Sequence, residues 1–387
     1  MPDGRNSVDG TSMSQERLRI AMFVSNYLPH PGGLEVMVWN LASGLAQRHD
    51  VVLITSAYGG RQGVSNEDAM TVHRLPAMHL TERFGVPYPI PVGPGLRAAL
   101  RDVGDATIVH AHGALYAQSV LAHAVARRLT IPFVLTEHVG FVTYSSAALN
   151  AVQHAAWSMI GFPLVRRADA VVTYNARVHQ QLGRDSGRQV HYVGNGVDVA
   201  RFQPRSPAER AALRRSFGLP EEGVLALFAG RDSEKKNLDV LLGARRDSYT
   251  LVVCGWERNL NGSSLVDLGV VSYSRMADLF ACVDMMVHPA SGEGFPLAVQ
   301  EAIASGLPVV LLWDDGYERW MSRSVVDACG TLGEVPLRVD ALARDAHRRA
   351  TLSARAREWA TTCWSWTTTI LAYEQIYREA IADRANG

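Results

Sequence analysis

The stretch HPASGEGFPLAVQEAIASGLPVV (288–310) decides the fold class of this chain. An apolar run ends at Pro289, a loop of small residues follows, and a helix is predicted to open near Pro296 and to close at Gly306, as helices prefer. The apolar run LPVVLL (307–312) comes next. Strand, loop, helix and strand in this order are typical of a parallel α/β sheet. Ligands of such sheets bind beyond the carboxyl ends of the strands, so this loop is a candidate site.

Apolar runs of strand length recur through the whole chain. They are continuous rather than alternating, which is typical of strands that are covered on both faces by helices. The predicted strands are LRIAMFVS (18–25), VVLITS (51–56), TVHRLP (71–76), ATIVHAH (106–112), FVLTEH (133–138), AVVTYN (170–175), VLALFAG (224–230), TLVVCG (250–255), DMMVHP (284–289) and LPVVLL (307–312). Helices are predicted between them, notably at 34–48 and 118–129. The predicted fold class is α/β, with two Rossmann-like, doubly wound domains that face a central cleft.

The turn-rich segment VGNGVDVARFQPRSP (193–207) interrupts this rhythm and is predicted to connect the two domains. We place the N-terminal domain at 17–198 and the C-terminal domain at 199–364. The last segment, 365–387, is predicted to be an amphipathic helix that can cross back to the N-terminal domain. The polar leader 1–16 lacks the apolar region of a signal peptide and is predicted to be disordered.

The composition excludes several classes of function. The 38 basic and 38 acidic residues cancel, which argues against a surface built for nucleic acid or anionic lipid. No stretch reaches the roughly 18 apolar residues that span a bilayer, so membrane contact is expected to be peripheral at most. The 4 cysteines form no C-x-x-C pair, which disfavours a zinc site or a disulfide scaffold. We therefore predict a reduced, cytoplasmic protein without a metal or another cofactor, and its oligomeric state is left open.

Two acidic residues frame the start of the helix in 288–310. Glu293 lies in the loop, and Glu301 follows eight residues later inside the helix. The residues at the helix start are Gly294, Phe295, Pro296 and Leu297. Unpaired amides at a helix start favour an anion such as a diphosphate, and the two carboxylates could accept hydrogen bonds from sugar hydroxyls. A capping Glu and a solvent-facing Glu are the structural alternative, but the coincidence of acids, glycines and strand–loop–helix context favours a binding site.

A pair of cations follows the first predicted strand of the second half, in FAGRDSEKKNLDVLL (228–242). Arg231 comes directly after the strand and Lys236 five residues later. Facing a phosphate-binding helix, they could neutralise a leaving diphosphate, the arginine as a planar fork and the lysine as a point charge. Solvated surface charge is the alternative interpretation. The chain has only two lysines, and Lys235 is the alternative to Lys236 in this register.

Candidate residues of the first half lie at strand ends. Gly32 and Gly33 precede a predicted helix, where the backbone can approach a ligand closely, although double glycine also marks ordinary turns. His112 and His138 end two predicted strands, where a structural hydrogen-bonded histidine is the alternative. His110 and His112 alternate along their strand, but this spacing without a third ligand makes a poor metal site.

Together these motifs resemble the GT-B glycosyltransferases, specifically the retaining GT4 family (glycosyl transferases group 1). The matching motifs are E-x7-E at 293–301, G-R-x(4)-K at 230–236, G-G-x-E at 32–35 and N-G-V-D at 195–198, within a resemblance that spans 17–382. The resemblance implies a metal-independent, retaining transfer of a hexose-like sugar from a nucleoside-diphosphate sugar to a hydroxyl. UDP is the expected nucleotide, with GDP next. The expected acceptor is a glycan, a lipid-linked sugar or a small natural product.

The resemblance also implies roles for individual residues. The catalytic residues that it implies are Glu293, Arg231, Lys236 and His112. The donor-binding residues that it implies are Gly32, Gly33, Gly294, Phe295, Pro296, Leu297, Glu301 and Lys235. It adds His138 and Asn195 as sugar or acceptor contacts. Arg231 and Lys236 would hold the leaving diphosphate, Glu301 would hold the ribose, and the departing phosphate itself would accept the proton.

Several motifs of other enzyme classes are absent from the sequence. It has no D-x-D for a metal-dependent GT-A enzyme, no G-x-G-x-x-G after the first strand and no Walker A lysine. A nucleotide-sugar epimerase or phosphorylase on the same fold stays open, as does a non-catalytic nucleotide-sugar-binding or scaffold subunit. The chain between Gly255 and Glu293 is shorter than is usual in the family, and Trp256 and Glu257 replace the usual second glycine. We therefore expect a shortened C-terminal domain with an altered base pocket.

Overall fold

The computed structural model describes residues 16–386 except 31, 79–88, 94, 141–145, 188, 232, 256–259 and 261. The predicted leader, apart from Glu16, lies outside the described residues. Trp256 and Glu257, which depart from the family pattern, also lie outside them.

The first half of the chain forms an eight-stranded sheet and a small two-stranded ribbon. The strands are β1 (Arg19–Phe23), β2 (Asp50–Ser56), β3 (Gly63–Glu67), β4 (Met70–Leu75), β5 (Ala77–Met78), β6 (Ile90–Pro91), β7 (Ile108–His112), β8 (Phe133–Thr136), β9 (Ala170–Thr173) and β10 (Val190–Tyr192). The helices are α1 (Gly33–Ala46), α2 (Gly95–Asp102), α3 (Ala117–Leu129), α4 (Ala147–Ala156), α5 (Phe162–Arg167) and α6 (Ala176–Ser186), with a π-helical turn at Trp157–Gly161. The order of the large sheet is β10-β9-β8-β7-β1-β2-β4-β3, and only β3 pairs antiparallel.

The second half forms a six-stranded parallel sheet in the order β13-β12-β11-β14-β15-β16. Its strands are β11 (Leu225–Ala229), β12 (Thr250–Cys254), β13 (Leu265–Asp267), β14 (Met285–His288), β15 (Val309–Leu312) and β16 (Asp327–Cys329). The helices are α7 (Pro207–Ser216), α8 (Asp239–Leu242), α9 (Tyr273–Cys282), α10 (Leu297–Ala304), α11 (Glu334–Arg344), α12 (Ala346–Cys363) and α13 (Trp366–Asn386). Helix α8 is a single turn, whereas β13 and α9 are both present between Gly255 and Glu293.

Each sheet has a topological switch point near its centre, where the chain begins to add strands on the other side of the first strand. The chain runs from β1 to β2 on one side and returns to β7 on the other, and likewise from β11 to β12 and back to β14. Ligands bind at such switch points, beyond the carboxyl ends of the strands. The loops that follow β1, β7, β11 and β14 therefore form the cleft, and the predicted two-domain α/β fold class is confirmed.

Each of the ten predicted strands coincides with an observed strand to within a few residues. The strands that the sequence did not predict are short segments, all of them at the edges of the two large sheets or in the small ribbon: β3, β5, β6, β10, β13 and β16. Strand β3 has the sequence GVSNE and is largely exposed, so it carries no apolar run to mark it. Edge strands are covered on fewer sides, and their sequences record burial less strongly.

Helix α13 belongs spatially to the N-terminal sheet. Its buried residues Tyr373, Ile376, Tyr377 and Ala380 pack into one core with strands β1, β2 and β8 and with helix α1. The Tyr377 hydroxyl hydrogen-bonds with His110 Nδ1 at 2.7 Å. The chain thus crosses from the second sheet back to the first through Trp366, whose backbone lies so close to Gly196 that a side chain there would overlap it.

Removing the Tyr377 hydroxyl is expected to destabilise the protein. In Tyr377→Phe, the buried His110 Nδ1 loses its partner, and an unsatisfied buried group costs about 1–3 kcal/mol. We expect a lower urea midpoint for this variant. The matched control is Tyr249→Phe, because the buried Tyr249 hydroxyl has no hydrogen-bond partner among the described residues. Equal midpoints for the two variants would contradict the account of helix α13.

Candidate active site

The carboxyl edges of the two sheets enclose a cleft of about 770 Å³. This volume lies in the range of about 300–1,000 Å³ that is usual for small-molecule sites. Most of the sequence-predicted residues line it: Gly32, Gly33, His138, Asn195, Arg231, Lys235, Lys236, Glu293, Gly294, Phe295, Pro296 and Leu297. His112 and Glu301 do not line it and are buried behind its surface.

A half-buried ion cluster lies at the centre of the C-terminal side of the cleft. Glu293 Oε1 is 3.0 Å from Lys235 Nζ, and Glu293 Oε2 is 3.3 Å from Lys236 Nζ. Burial raises the pKa of Glu293, but Lys236 and Lys235 outweigh it, so the pKa lies below its usual range. Burial also lowers the pKa of Lys236, and Glu293 opposes that shift. One carboxylate thus neutralises one of two ammonium groups, which leaves the cluster with an excess positive charge.

Two loops hold this cluster together. Lys235 and Lys236 lie in a 3₁₀ turn, Glu234–Lys236, that ends at Asn237 in the left-handed conformation with φ 52°. The Asn237 amide donates to the carbonyl of Pro289 at 2.9 Å, and Ser291 N donates to the carbonyl of Lys235 at 2.8 Å. The loop after β11 is thereby tied to the loop after β14. Sequence analysis missed Asn237, although Asn is one of the few residues that readily adopt this conformation.

Gly294 brings the cluster against the opposite domain. Its carbonyl accepts a hydrogen bond of 2.6 Å from the Asn175 amide at the start of α6. A Cβ at Gly294 would overlap the carbonyl oxygen of His138. Helix α10 begins just beyond, after Pro296, and its first residues, Leu297 and Ala298, line the cleft. The first amides of a helix have no carbonyl partner within the helix. The structure therefore shows the two domains in contact at the Glu293 loop (289–296).

Arg231 lies at the rim of the cleft and is exposed. The strand ends beneath it approach closely, because Gly255 has φ 88° and a Cβ there would overlap the Gly230 carbonyl. His288, at the end of β14, also lines the cleft, and burial followed by the charge of Lys236 lowers its pKa to about 3. His288 is therefore a neutral residue of the site that sequence analysis did not single out, although it opens the deciding stretch.

Glu301 is turned away from the cleft. The Tyr273 hydroxyl donates to Glu301 Oε1 at 2.8 Å, and the Arg201 guanidinium lies 4.2 Å from the centre of the Tyr273 ring. Burial raises the pKa of Glu301 to about 8, although Tyr273 and Arg201 oppose the shift. Tyr273 also contacts Trp39 of helix α1 edge-on at 6.1 Å. Tyr273, the partner of Glu301, thus also forms a contact between the two domains.

The buried Glu301 predicts a pH dependence of stability. Its native pKa of about 8 lies above the ordinary value of 4.5, so the native state holds the extra proton between these values. The contribution is complete below the ordinary value and is lost as the pH rises through about 8. In the wild type, the free energy of unfolding should therefore fall on the order of a few kcal/mol as the pH rises, and Glu301→Gln should abolish this fall. Urea unfolding at pH 5.5 and 8.5 checks this, and equal declines in wild type and variant would contradict it.

The predicted histidines form a buried hydrogen-bonded chain. His112 Nδ1 lies 3.0 Å from His138 Nε2, and His138 Nδ1 lies 2.9 Å from the Tyr174 hydroxyl. Burial lowers the pKa of both histidines, that of His138 to about 3, so both are neutral. Only His138 and Tyr174 reach the cleft, and the ring of Tyr174 lies against Gly294. Sequence analysis missed Tyr174, which could have been found as an aromatic residue at the end of a strand.

The helix start after Gly32 already holds a carboxylate of the chain itself. A Cβ at Gly32 would overlap the Glu35 carboxylate, and Glu35 Oε1 is 2.7 Å from His30 Nδ1. A second carboxyl group on this side, Glu137, accepts the backbone amides of Ala114 at 2.7 Å and Val139 at 3.3 Å. Burial raises the pKa of Glu137. Both glutamates line the cleft, and neither was predicted as a site residue.

Asn195 reaches the cleft from the connection between the domains. Its carbonyl accepts a hydrogen bond of 3.1 Å from the amide of Gln300 in α10. Its buried Oδ1 has no hydrogen-bond partner among the described residues.

Across all the residues that the structure describes, no cluster of three or more His, Cys, Asp or Glu residues could hold a metal ion. None of the described helices is long and apolar enough to cross a bilayer.

Two Rossmann-like domains with a cleft between their strand ends are the architecture of the GT-B fold. Residues 31–201 match the sequence profile of Glycosyltransferase Family 4, and residues 209–359 match that of glycosyl transferases group 1. The chain belongs to this family of glycosyltransferases and is an enzyme that uses a nucleotide-sugar donor.

Named relatives and solved structures agree with this assignment. The GDP-mannose-dependent alpha-mannosyltransferase of Mycobacterium tuberculosis is 30% identical over 366 residues, which cover 89% of this chain and 94% of the relative. The D-inositol 3-phosphate glycosyltransferase of Xylanimonas cellulosilytica is 29% identical and covers 91% of this chain and 93% of its own length. Sucrose-phosphate synthase from Thermosynechococcus elongatus superposes with a TM-score of 0.76 at 18% identity, over 94% of this chain and all of that one. Anabaena HepE in complex with UDP-glucose has a TM-score of 0.71 at 16% identity, over 94% of this chain and 99% of that one. The structural likeness concerns the fold.

Proposed function

We propose that this protein is a retaining mannosyltransferase that takes mannose from GDP-mannose and attaches it to a hydroxyl group of an acceptor. The observation that carries the proposal is the cluster of Lys235, Lys236 and Glu293 beside the start of α10, inside the cleft. Its excess positive charge and the free amides of α10 suit a diphosphate, and its carboxylate suits sugar hydroxyls.

The choice of nucleotide follows the relatives rather than our first expectation. Sequence analysis favoured UDP, but the relative with 30% identity over 366 residues is named for GDP-mannose. A second GDP-mannose-dependent alpha-mannosyltransferase, from Mycolicibacterium smegmatis, is also 30% identical and covers 76% of this chain. The solved complexes with UDP are only 16–17% identical and support the fold alone. GDP is therefore our proposed nucleotide and UDP the alternative.

The proposed reaction needs no metal ion and no protein nucleophile. The acceptor oxygen attacks C1 of the sugar on the face from which the diphosphate leaves. The bond between C1 and the phosphate oxygen breaks, a new C1–O bond forms, and the acceptor proton passes to the departing diphosphate. Lys236, Arg231 and the α10 amides would stabilise the negative charge that develops there, which is usually the largest catalytic contribution. The products are GDP and an α-linked glycoside.

Donor binding would rearrange two contacts of the structure. The diphosphate would compete with Glu293 for Lys235 and Lys236, and the released carboxylate could then accept hydroxyls of the sugar. Glu301 would hold the ribose after Tyr273 gives up its hydrogen bond of 2.8 Å. His112 would act through His138, which it orients, because His138 lines the cleft and His112 does not.

We place the reaction in the cytoplasm, in line with the free thiols of the described cysteines.

Calorimetric titration of the full chain with GDP, UDP and ADP tests the donor. We expect GDP to bind at least about tenfold more tightly than UDP or ADP, a difference of about 1.4 kcal/mol. Preference for UDP would correct the nucleotide and retain the class of reaction. Binding of none of the three would favour a scaffold subunit. Free epimer formed without an acceptor, or turnover that requires phosphate, would instead indicate an epimerase or a phosphorylase.

A further inference from the structure

The basic side chains of the cleft lie on one of its two domains, whose lining also holds Glu234 and Glu293. All three cations that line it among the described residues, Arg231, Lys235 and Lys236, come from the C-terminal domain. The described lining of the N-terminal domain contains no lysine or arginine but includes the carboxyl groups of Glu35 and Glu137. In the proposed function the diphosphate binds on the C-terminal side, which leaves the N-terminal side for the acceptor. An anionic acceptor would therefore face acidic groups without a matching cation.

Glu35 adds to this argument because it occupies a helix start that would otherwise attract an anion. The start of helix α1 carries free amides, which favour negative charge. The Glu35 carboxylate is folded back against Gly32 at this position, so the chain supplies its own anion there. Its partner is His30, with 2.7 Å between Oε1 and Nδ1. A phosphate of the acceptor would have to displace this carboxylate.

The remaining groups on this side suit hydroxyls. Each oxygen of Glu137 receives a backbone amide, from Ala114 at 2.7 Å and Val139 at 3.3 Å, and a carboxyl oxygen can accept a second hydrogen bond. Tyr116 and Trp157 line the same side, and aromatic side chains there suit the apolar face of a sugar ring. Carboxyl oxygens beside aromatic faces form a surface for a neutral polyol.

We propose that the part of the acceptor that enters the cleft is an uncharged, hydroxyl-rich group, a neutral sugar or cyclitol without a phosphate, and that Glu35 and Glu137 exclude phosphorylated acceptors. This inference rests on the proposed function, because it needs the donor on the C-terminal side. The inference also distinguishes this protein from the relatives that are named D-inositol 3-phosphate glycosyltransferase, because that name contains a phosphorylated compound, whereas the GDP-mannose-dependent alpha-mannosyltransferases are named for their donor.

The test uses acceptor pairs that differ only by a phosphate. The full chain is incubated with GDP-mannose and either methyl α-D-mannoside or its 6-phosphate, and either myo-inositol or its 3-phosphate. GDP release above hydrolysis is measured. We expect kcat/KM to be at least tenfold higher for the neutral member of a pair that is used. Glu35→Gln and Glu137→Gln should each narrow this ratio by severalfold, whereas a merely structural defect would lower both rates together.

Two outcomes would overturn the inference. One is a phosphorylated acceptor used as fast as its neutral partner, or faster. The other is that GDP release in the presence of each neutral polyol is no faster than the hydrolysis of GDP-mannose without an acceptor. Tight GDP binding in calorimetry beside either outcome would leave the proposed donor intact, so failure of the acceptor inference is distinguishable from failure of the proposed function.

Discussion

Lys236→Met is expected to lower kcat/KM for sugar transfer about 10²–10³-fold, the usual loss when one group that stabilises developing negative charge is removed. Lys236 would have two functions under the proposed mechanism. It pairs with Glu293 at 3.3 Å, and it supplies charge in the cleft where the diphosphate would leave. Methionine keeps most of the length of the side chain but not its charge. Steady-state kinetics with GDP-mannose at varied acceptor concentration measure the loss.

The matched control is Lys235→Met. Lys235 pairs with the same carboxylate at 3.0 Å, so both variants leave Glu293 with one cation and should share a similar destabilisation. Lys235 is more exposed, 29% against 15% of the side chain, and its charge is better screened by water. We expect its loss to reduce kcat/KM less than about tenfold, well below the loss at an oxyanion contact. Equal losses in the two variants would mean that pairing with Glu293, rather than charge on the diphosphate, explains the effect.

Gly294→Ala is expected to reduce transfer about 100-fold, because the added Cβ would overlap the carbonyl oxygen of His138 and displace the Glu293 loop from the N-terminal domain. A backbone carbonyl of a strand-end loop cannot swing aside as a flexible side chain can. The hydrogen bond from Asn175 to the Gly294 carbonyl should be lost with it. Small-angle scattering should show a larger radius of gyration than for wild type, in parallel with the kinetic loss.

The same substitution at Gly183 provides the control. Gly183 lies within helix α6, and a Cβ there would meet nothing within 4 Å. Gly183→Ala should leave transfer unchanged and raise the free energy of unfolding by about 0.5–1 kcal/mol through helix propensity. Normal activity of Gly294→Ala would show that the contact between the Glu293 loop and His138 is not needed for transfer.

The fold and the C-terminal part of the site could be predicted from sequence because both are recorded locally. A buried parallel strand needs a continuous apolar run, and β1, β11 and β14 contain such runs at 20–23, 225–229 and 285–287. Glu293, Lys236 and Arg231 each follow such a run by a few residues, so placing the strands places these side chains at the sheet edge. Short edge strands such as β3 carry no such run and were not predicted.

The contacts that orient the site join residues that are distant in sequence. Tyr273 and Glu301 are 28 residues apart, and Tyr377 and His110 are 267 apart. No local pattern reports that Tyr273 covers Glu301, or that His112 lies behind His138 rather than in the cleft. The Glu35 carboxylate is the opposite case, since its contacts are with Gly32 and His30, three and five residues earlier in the chain, but no periodic pattern of residues marks such a folded-back side chain. Such pairings depend on how helices pack on the sheet.

The central claim is that the cleft transfers a sugar from a nucleoside diphosphate to a hydroxyl with retention of configuration. The most direct test is proton NMR of the product formed from GDP-mannose and a neutral acceptor by the full chain. The account predicts GDP release coupled to a new α-mannoside signal, and neither in Lys236→Met over the same time. A β-mannoside would contradict retention. Tight binding of GDP, together with no formation of GDP from GDP-mannose in the presence of any acceptor, would show a binding subunit rather than an enzyme.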